Sequence, residues 1–344
     1  MAGEDRTRLA HEVVPPDEGR YTDRLTALLL AKVRRDNPTG VTRRDAHAKH
    51  HGCVRAEFIV NPDLPPDMRV GVFREPRTFQ ALIRFSNQSG VPQPDITKDI
   101  RGMAIKLLGV DGEKLLDDEK DARTQDFILI SHNAFVTKDV AEFHDLIAAS
   151  VGRFWRLPWF FFNPFNTHIR VLRNLRASLQ RHANPLEVRY WSVTPYLFGD
   201  RAVKYSARPV AAPADAVPAD PSPDFLRDAM TRALGRGDVR FDFMVQFQTD
   251  ARRTPIEDPG AAWDETRSPF HPVASVRIPA QSFDNPAQQA FAENISFTPW
   301  HCLPEHRPLG GINRARKVAY KTISEFRHRQ NGVPRDEPTG PPES

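Results

Sequence analysis

Apolar positions recur at two periods along the chain. Between Thr22 and Arg35, Leu25, Leu28, Leu29 and Val33 share one face of a 3.6-residue repeat, which predicts a helix. Asn37-Pro38-Thr39-Gly40 ends it. From Cys53 the texture changes to short apolar runs bounded by Pro, Gly, Asn or Asp. Cys53–Val60, Val70–Phe73, Ala81–Ser86, Gly102–Leu108 and Phe127–Ile130 read as strands, followed by Val188–Ser192, Ala202–Ala207, Val239–Gln248 and Val273–Ile278. Val140–Ala149, the arginine-rich Thr167–His182 and Asn313–Gln330 read as helices. Pro209–Pro223 is an Ala/Pro/Asp connector expected on the surface. Many short strands punctuated by turns predict a barrel or sandwich, here one domain of about eight antiparallel strands plus helices. The expected division is an N-terminal arm over 1–40, a barrel domain over 41–331, and a Pro-rich, disordered tail over 332–344.

Composition narrows this. Among 344 residues, 31 prolines argue against a helical bundle. A net charge of +4 is too small to imply nucleic acid. Two cysteines exclude a disulfide scaffold and any four-cysteine metal site. Every apolar stretch is broken by charge or proline, and no signal-peptide core follows Met1–Arg6, so a cytoplasmic protein is expected. One stretch is unusual: seven of the twelve residues from Phe154 to Phe165 are aromatic. They could form a greasy entrance or a peripheral membrane contact, or pack against the barrel.

Two constellations carry chemistry. Arg316, Tyr320 and Arg327 stand at spacings of four and seven and share a helix face. An arginine beside a phenol favours the phenolate, and a phenolate is an axial ligand of haem iron. A second arginine can pair with a haem propionate. The other reading of this segment is a basic, solvated helix. His47, His50 and His51 cluster before the first strand, where a histidine could act as acid and base near neutral pH. A zinc or nickel site there, or a mixed site of Cys53 or Cys302 with His301 or His306, is the competing reading.

Taken in order, these pieces resemble the catalase superfamily of haem proteins. Arg44-Asp45-Ala46-His47-Ala48-Lys49 is similar to the family's distal-histidine motif. Ile83-Arg84-Phe85-Ser86 is similar to its V-R-F-S strand, and Asp99–Lys106 to its D-x-R-G-F-A-V-K segment. Arg316-Lys317-Val318-Ala319-Tyr320, with Arg327 beyond, resembles the proximal R-x-F-x-Y motif, and Asn294–Pro299 its approach.

The resemblance implies an α+β fold: a catalase-like eight-stranded antiparallel β-barrel with surrounding helices and haem b (iron) between them. It implies Tyr320 as iron ligand, held as phenolate by Arg316, and His47 as distal acid–base residue, with His51 as the alternative. Arg44, Arg84 and Arg327 would meet the propionates, and Ser86 would bond near the histidine. Where the family has a distal asparagine, Arg123-Thr124-Gln125-Asp126 stands, so Thr124 or Gln125 would take its place. The resemblance is to a minimal member, expected to do without most of the extra parts of large catalases. A peroxidase is expected, using H2O2 or an organic hydroperoxide to oxidise an organic donor, with weak catalase activity. A fatty-acid hydroperoxide-rearranging enzyme (allene oxide synthase or epoxyalcohol type) is the alternative, although Ala46 stands where the coral-type dehydratases have Thr. A non-catalytic haem- or lipid-binding barrel is another. A homodimer is within the expected partners.

Overall fold

The computed structural model describes residues 8–340. The expectation about Met1–Arg6 and the last four residues of the tail lie outside the described residues. Nine strands form: β1 (His50–Val60), β2 (Thr78–Asn87), β3 (Arg101–Leu108), β4 (Thr124–Ile130), β5 (Tyr190–Trp191), β6 (Tyr196–Phe198), β7 (Arg201–Pro209), β8 (Val239–Phe247) and β9 (Phe270–Ile278). Eight of them close an antiparallel barrel in the order β5-β4-β3-β2-β1-β9-β8-β7, with β7 pairing back to β5 and β6 added on β7. Side chains alternate across each strand, so one set fills the barrel. Phe58, Phe79, Phe127, Tyr205 and Phe243 belong to that set, and Phe127 lies 4.9 Å centre to centre from Phe243.

Among the described residues seven helices surround the barrel: α1 (Glu18–Asp36), α2 (Val140–Ser150), α3 (Arg156–Phe162), α4 (Ile169–Ser178), α5 (Phe225–Arg236), α6 (Pro286–Asn294) and α7 (Gly311–Asn331). A second apolar cluster joins the inner faces of α1, α2, α3 and α7. The arm is fastened to α7 by charge as well. Arg314 pairs with Glu12, Glu18 and Glu257.

Several expectations change. Val70–Phe73 is a 3₁₀ turn over Gly71–Phe73, because Phe73 turns inward to plug the barrel end while Gly71 adopts φ +53° against His306. Helices α3, α5 and α6 and strand β6 fill stretches read as irregular. The described part of the tail, 332–340, packs down, with Arg335 paired to Glu119 and Glu337 to a buried lysine, Lys106. Disorder therefore does not hold for those residues. Among the described residues, no helix is long and apolar enough to cross a membrane.

Candidate functional site

The register of β2, β3 and β4 builds one wall of the site. Ile83, Phe85, Met103, Ile105, Phe127 and Leu129 point into the barrel core. Their neighbours therefore face outward: Arg84 and Ser86 on β2, Gly102 and Ala104 on β3, Ile128 on β4. These pair side by side, Ser86 with Gly102, Arg84 with Ala104, and Ala104 with Ile128. Against this outer face a cavity opens, roofed by Leu29 of α1 and by Ala319, Tyr320 and Ile323 of α7.

His47 enters from the loop before β1 and lines the cavity. Its backbone is left-handed, φ +60°, a conformation a non-glycine residue adopts only when its surroundings impose it. Here the His47 N–H donates to the Gln88 carbonyl at 2.9 Å, and its own carbonyl accepts from Arg84 at 3.1 Å. The imidazole Nδ1 lies 2.9 Å from Ser86 Oγ. The ring also rests on Gly102, where a Cβ would come within 2.5 Å of Nδ1. Burial first, then the charges of Arg84, Arg316 and Arg44, pushes the His47 pKa down to about 3. The ring is therefore neutral at physiological pH, and Nε2 makes no hydrogen bond within the described residues.

His51 does not share this cavity. It is buried elsewhere, its Nε2 2.8 Å from Asn87 Oδ1 and its Nδ1 3.8 Å from Asp95. Of the two histidines, His47 is the one that lines the cavity.

Three guanidiniums meet at the cavity edge. Arg44, Arg84 and Arg327 all turn toward the carboxyl end of α6, where free carbonyls concentrate. Arg84 Nε donates to Ala292 O at 2.9 Å, and Arg44 and Arg327 each reach Glu293 O at 2.8 Å. Arg44 also bonds Ile295 O, and Arg327 bonds Asn294 O. One carboxylate stands among them, Glu293, 3.4 Å from Arg44. Two buried cations and the half-buried Arg44 against one anion leave about two positive charges unmatched. Burial, reinforced by the mutual repulsion of Arg44 and its neighbours, pushes Arg84 well below its ordinary value and Arg327 down to about 9. Buried charge of this kind calls for an anion with about two negative charges, and a haem with two propionates has that charge. The residues present fit such a group.

Tyr320 lines the cavity from α7. Arg316 lies one turn earlier and outside the lining. Its hydrogen bonds go to Thr194 Oγ1 at 3.2 Å and Asn313 Oδ1 at 3.3 Å, and its guanidinium lies 5.7 Å from the Phe135 ring. Its charge still reaches the site, being one of those that lower the His47 pKa.

Thr124 and Gln125 are the correction. Neither lines the cavity. Along β4, Ile128 pairs with Ala104, Asp126 with Lys106, and Thr124 with Leu108. Thr124 therefore sits two outward positions, roughly 13 Å, beyond Ile128. There it bonds His301 and, at 2.7 Å, Glu337. Gln125 is buried on the barrel side and accepts from Leu303 N at 3.0 Å. The wall where a polar residue was expected carries Ile128 instead. Sequence reasoning also missed the share of Leu29 and of α6 in the site. An Asn285-Pro286 start, with Asn285 capping Gln288 N, was the available signal for α6.

The metal alternatives do not gather at the histidine loop. Cys53 and Cys302 are buried and free. His306 accepts from Val72 N at 3.1 Å and lies 3.2 Å from the Tyr205 hydroxyl. Among the described residues the ligand-capable cluster is Glu119, His301 and Glu337. Lys106 already supplies its cation, 2.6 Å from Glu337 and 2.7 Å from Asp126.

Comparison with known proteins follows this geometry. No protein-family model matches the chain. A "Catalase-related peroxidase" of Mycolicibacterium paratuberculosis is 33% identical over 205 residues, 55% of this chain and 60% of that protein. The match thus spans less than two thirds of that relative. Among solved structures, a fungal catalase superposes with a TM-score of 0.69 at 16% identity, covering 95% of this chain and 66% of that one. Catalase A from Saccharomyces cerevisiae gives 0.68 at 17% identity, with 95% and 68% covered. A bacterial catalase gives 0.64 at 17%, with 95% and 64% covered. At such identities these structures speak to the fold, and the fold they share is the catalase barrel.

Proposed function

We propose that the chain, which has the fold of the catalases and is similar over part of its length to a catalase-related peroxidase, is a haem b-dependent peroxidase of the catalase superfamily. The observation that carries this reading is the excess of buried positive charge at Arg44, Arg84 and Arg327 in a cavity shared by His47 and Tyr320. The three arginines would hold the two propionates, and Tyr320 would be the iron ligand. When bound, the haem would supply an iron that accepts oxygen from a peroxide and exchanges electrons with a donor.

The chain's own residues supply the proton chemistry. With Nδ1–H donating to Ser86 Oγ, His47 keeps a lone pair on Nε2. That atom takes the proton from the O–H of an incoming peroxide and returns it to the departing oxygen, which leaves as water or alcohol. The low pKa of His47 keeps the ring neutral and ready to accept.

Ala104, Ile128, Phe297, Ala319 and Ile323 give the cavity an apolar lining. That lining favours an organic hydroperoxide over H2O2 as oxidant, with weak catalase activity. The protein is proposed to act in the cytoplasm.

The test uses the full chain loaded with haem. Tyr320→Phe is expected to lose the Soret absorbance, and His47→Ala to retain it while peroxidase turnover falls by 10²-fold or more. A wild-type chain that takes up no haem, or a Tyr320→Phe variant that binds it unchanged, overturns the assignment. The preference for the oxidant is read separately, as the ratio of kcat/KM for cumene hydroperoxide to that for H2O2.

A further inference from the structure

The aromatic stretch remains unused by this reading, and the structure shows where its rings lie. Phe160 and Phe161 are buried, and Phe160 stacks on His168 at 4.0 Å. That ring is fixed in turn by Glu142 at 2.8 Å. The other five rings face out. Phe154 and Phe165 are each 92% exposed, Phe162 63%, Trp159 54% and Trp155 50%, and Ile169 adds 59% from the start of α4. Half of α3 is therefore pinned to the helical layer while the other half offers bare aromatic surface. Trp155 immediately before α3 and Trp159 and Phe162 within it stand at helical spacings of four and three on one face, and exposed aromatic surface of this kind marks an interaction site.

Charge identifies the partner. Residues 146–186 contain six arginines and no Asp or Glu. Arg170 is taken by Asp258 through two bonds of 2.7 and 2.9 Å, and Arg181 donates to Ile96 O. Arg153, Arg156, Arg173 and Arg176 are exposed and meet no carboxylate among the described residues. Bare tryptophan and phenylalanine rimmed by unpaired arginine is the chemistry that seats a protein on a bilayer with anionic headgroups: the rings enter the headgroup region and the guanidiniums meet phosphate. A second copy of the chain fits poorly, since a symmetric contact would bring the two arginine rims together.

We propose that the α3–α4 corner, Arg153 to Arg176, is a docking surface for the face of an anionic lipid bilayer. The proposal stands independently of the peroxidase reading, because it needs neither haem nor turnover. The buried side of α3 shares one apolar cluster with α1 and with Ile323 of α7, a cavity-lining residue. Docking would thus hold the helical roof of the cavity close to the bilayer.

Flotation with vesicles tests it. The wild-type chain is expected to float with vesicles of phosphatidylcholine and phosphatidylglycerol at low salt and to be released as salt rises. The emission of Trp155 and Trp159 should shift to the blue on binding. Phe154→Ser with Phe165→Ser should weaken partitioning ten-fold or more. Arg173→Glu with Arg176→Glu should weaken it at least about 25-fold, at roughly five-fold per arginine. All four positions are exposed, so the fold should survive. Wild-type protein that stays with the soluble fraction overturns the proposal. So does either double variant floating as well as wild type. A solution dimer that Phe154→Ser with Phe165→Ser dissociates would give the patch to a second copy instead.

Discussion

At the scale of single residues, the site depends on what Gly102 lacks. The His47 ring and the Ser86 hydroxyl occupy the space a side chain there would fill, with contacts of 2.5 and 2.8 Å to a Cβ. Gly102→Ala should therefore push the imidazole off its Ser86 partner while leaving Tyr320 and the arginines in place. Haem uptake is expected to persist and turnover to fall about 10²-fold, the scale of a 1 Å misplacement. Unchanged turnover in that variant would remove His47 from the proposed proton path. His306 gives a second prediction, in acid. Its Nε2 accepts from Val72 N, so Nδ1 carries the proton and faces the Tyr205 hydroxyl. Burial pushes its pKa down to about 3. As pH falls below about 6.5 the unfolded chain takes up a proton that the folded chain refuses until about pH 3. The stability this histidine supports is thus complete above pH 6.5 and lost on going down, at about 1.4 kcal/mol per pH unit. His306→Gln should flatten the acid limb of a Tm–pH curve by about one proton. Identical slopes would mean that the ring is protonated in the fold.

At the scale of elements, legibility followed the strength of the local pattern. Helix α7 was readable because Ile312, Ala315, Ala319, Ile323 and Phe326 recur at helical spacing, and it carries both Tyr320 and Arg327. Strands β1 to β4 and β7 to β9 were readable from their apolar runs, to within a few residues at each end. Helix α5 went unread although Phe225, Leu226, Ala229, Met230 and Leu234 are equally periodic, because a Pro-rich connector precedes it. The turn at Gly71–Phe73 was misread for another reason: three apolar residues look like a strand, and only the shape of the barrel end shows that Phe73 is a plug. The site divides the same way. Arg44, His47, Arg84, Ser86, Tyr320 and Arg327 come together as their motifs implied. Thr124 and Gln125 do not, because strand register decides which residue faces the cavity, and register is fixed by β3 pairing that a linear pattern does not contain.

At the scale of the whole molecule, the tail closes a circuit that no local pattern announced. Lys106 is wholly buried on the outer face of β3, one outward position past Ala104 on the cavity wall. Its ammonium lies 5.4 Å from the Phe297 ring, itself part of the cavity. Two carboxylates neutralise it, Asp126 from the adjacent strand and Glu337 from a segment 231 residues away. Burial raises the Asp126 pKa to about 6, with Lys106 and His301 opposing the rise and the Glu337 charge adding to it. A buried cation with one uncertain anion is poorly paired, so the second matters. Deleting residues 332–344 should cost about 1–3 kcal/mol, the usual penalty for a buried charge that loses one hydrogen-bonded partner. Glu337→Gln should reproduce much of that loss, because it removes the charge and keeps the shape. Because Lys106 supports Phe297, both variants should also take up haem more weakly, while Asp111→Asn, at an exposed ion pair to Arg123, should not. Urea melts with a haem titration on the four proteins check this. A truncated chain as stable as the full one would mean that Asp126 alone suffices for Lys106, and that the tail lies on the barrel without holding it.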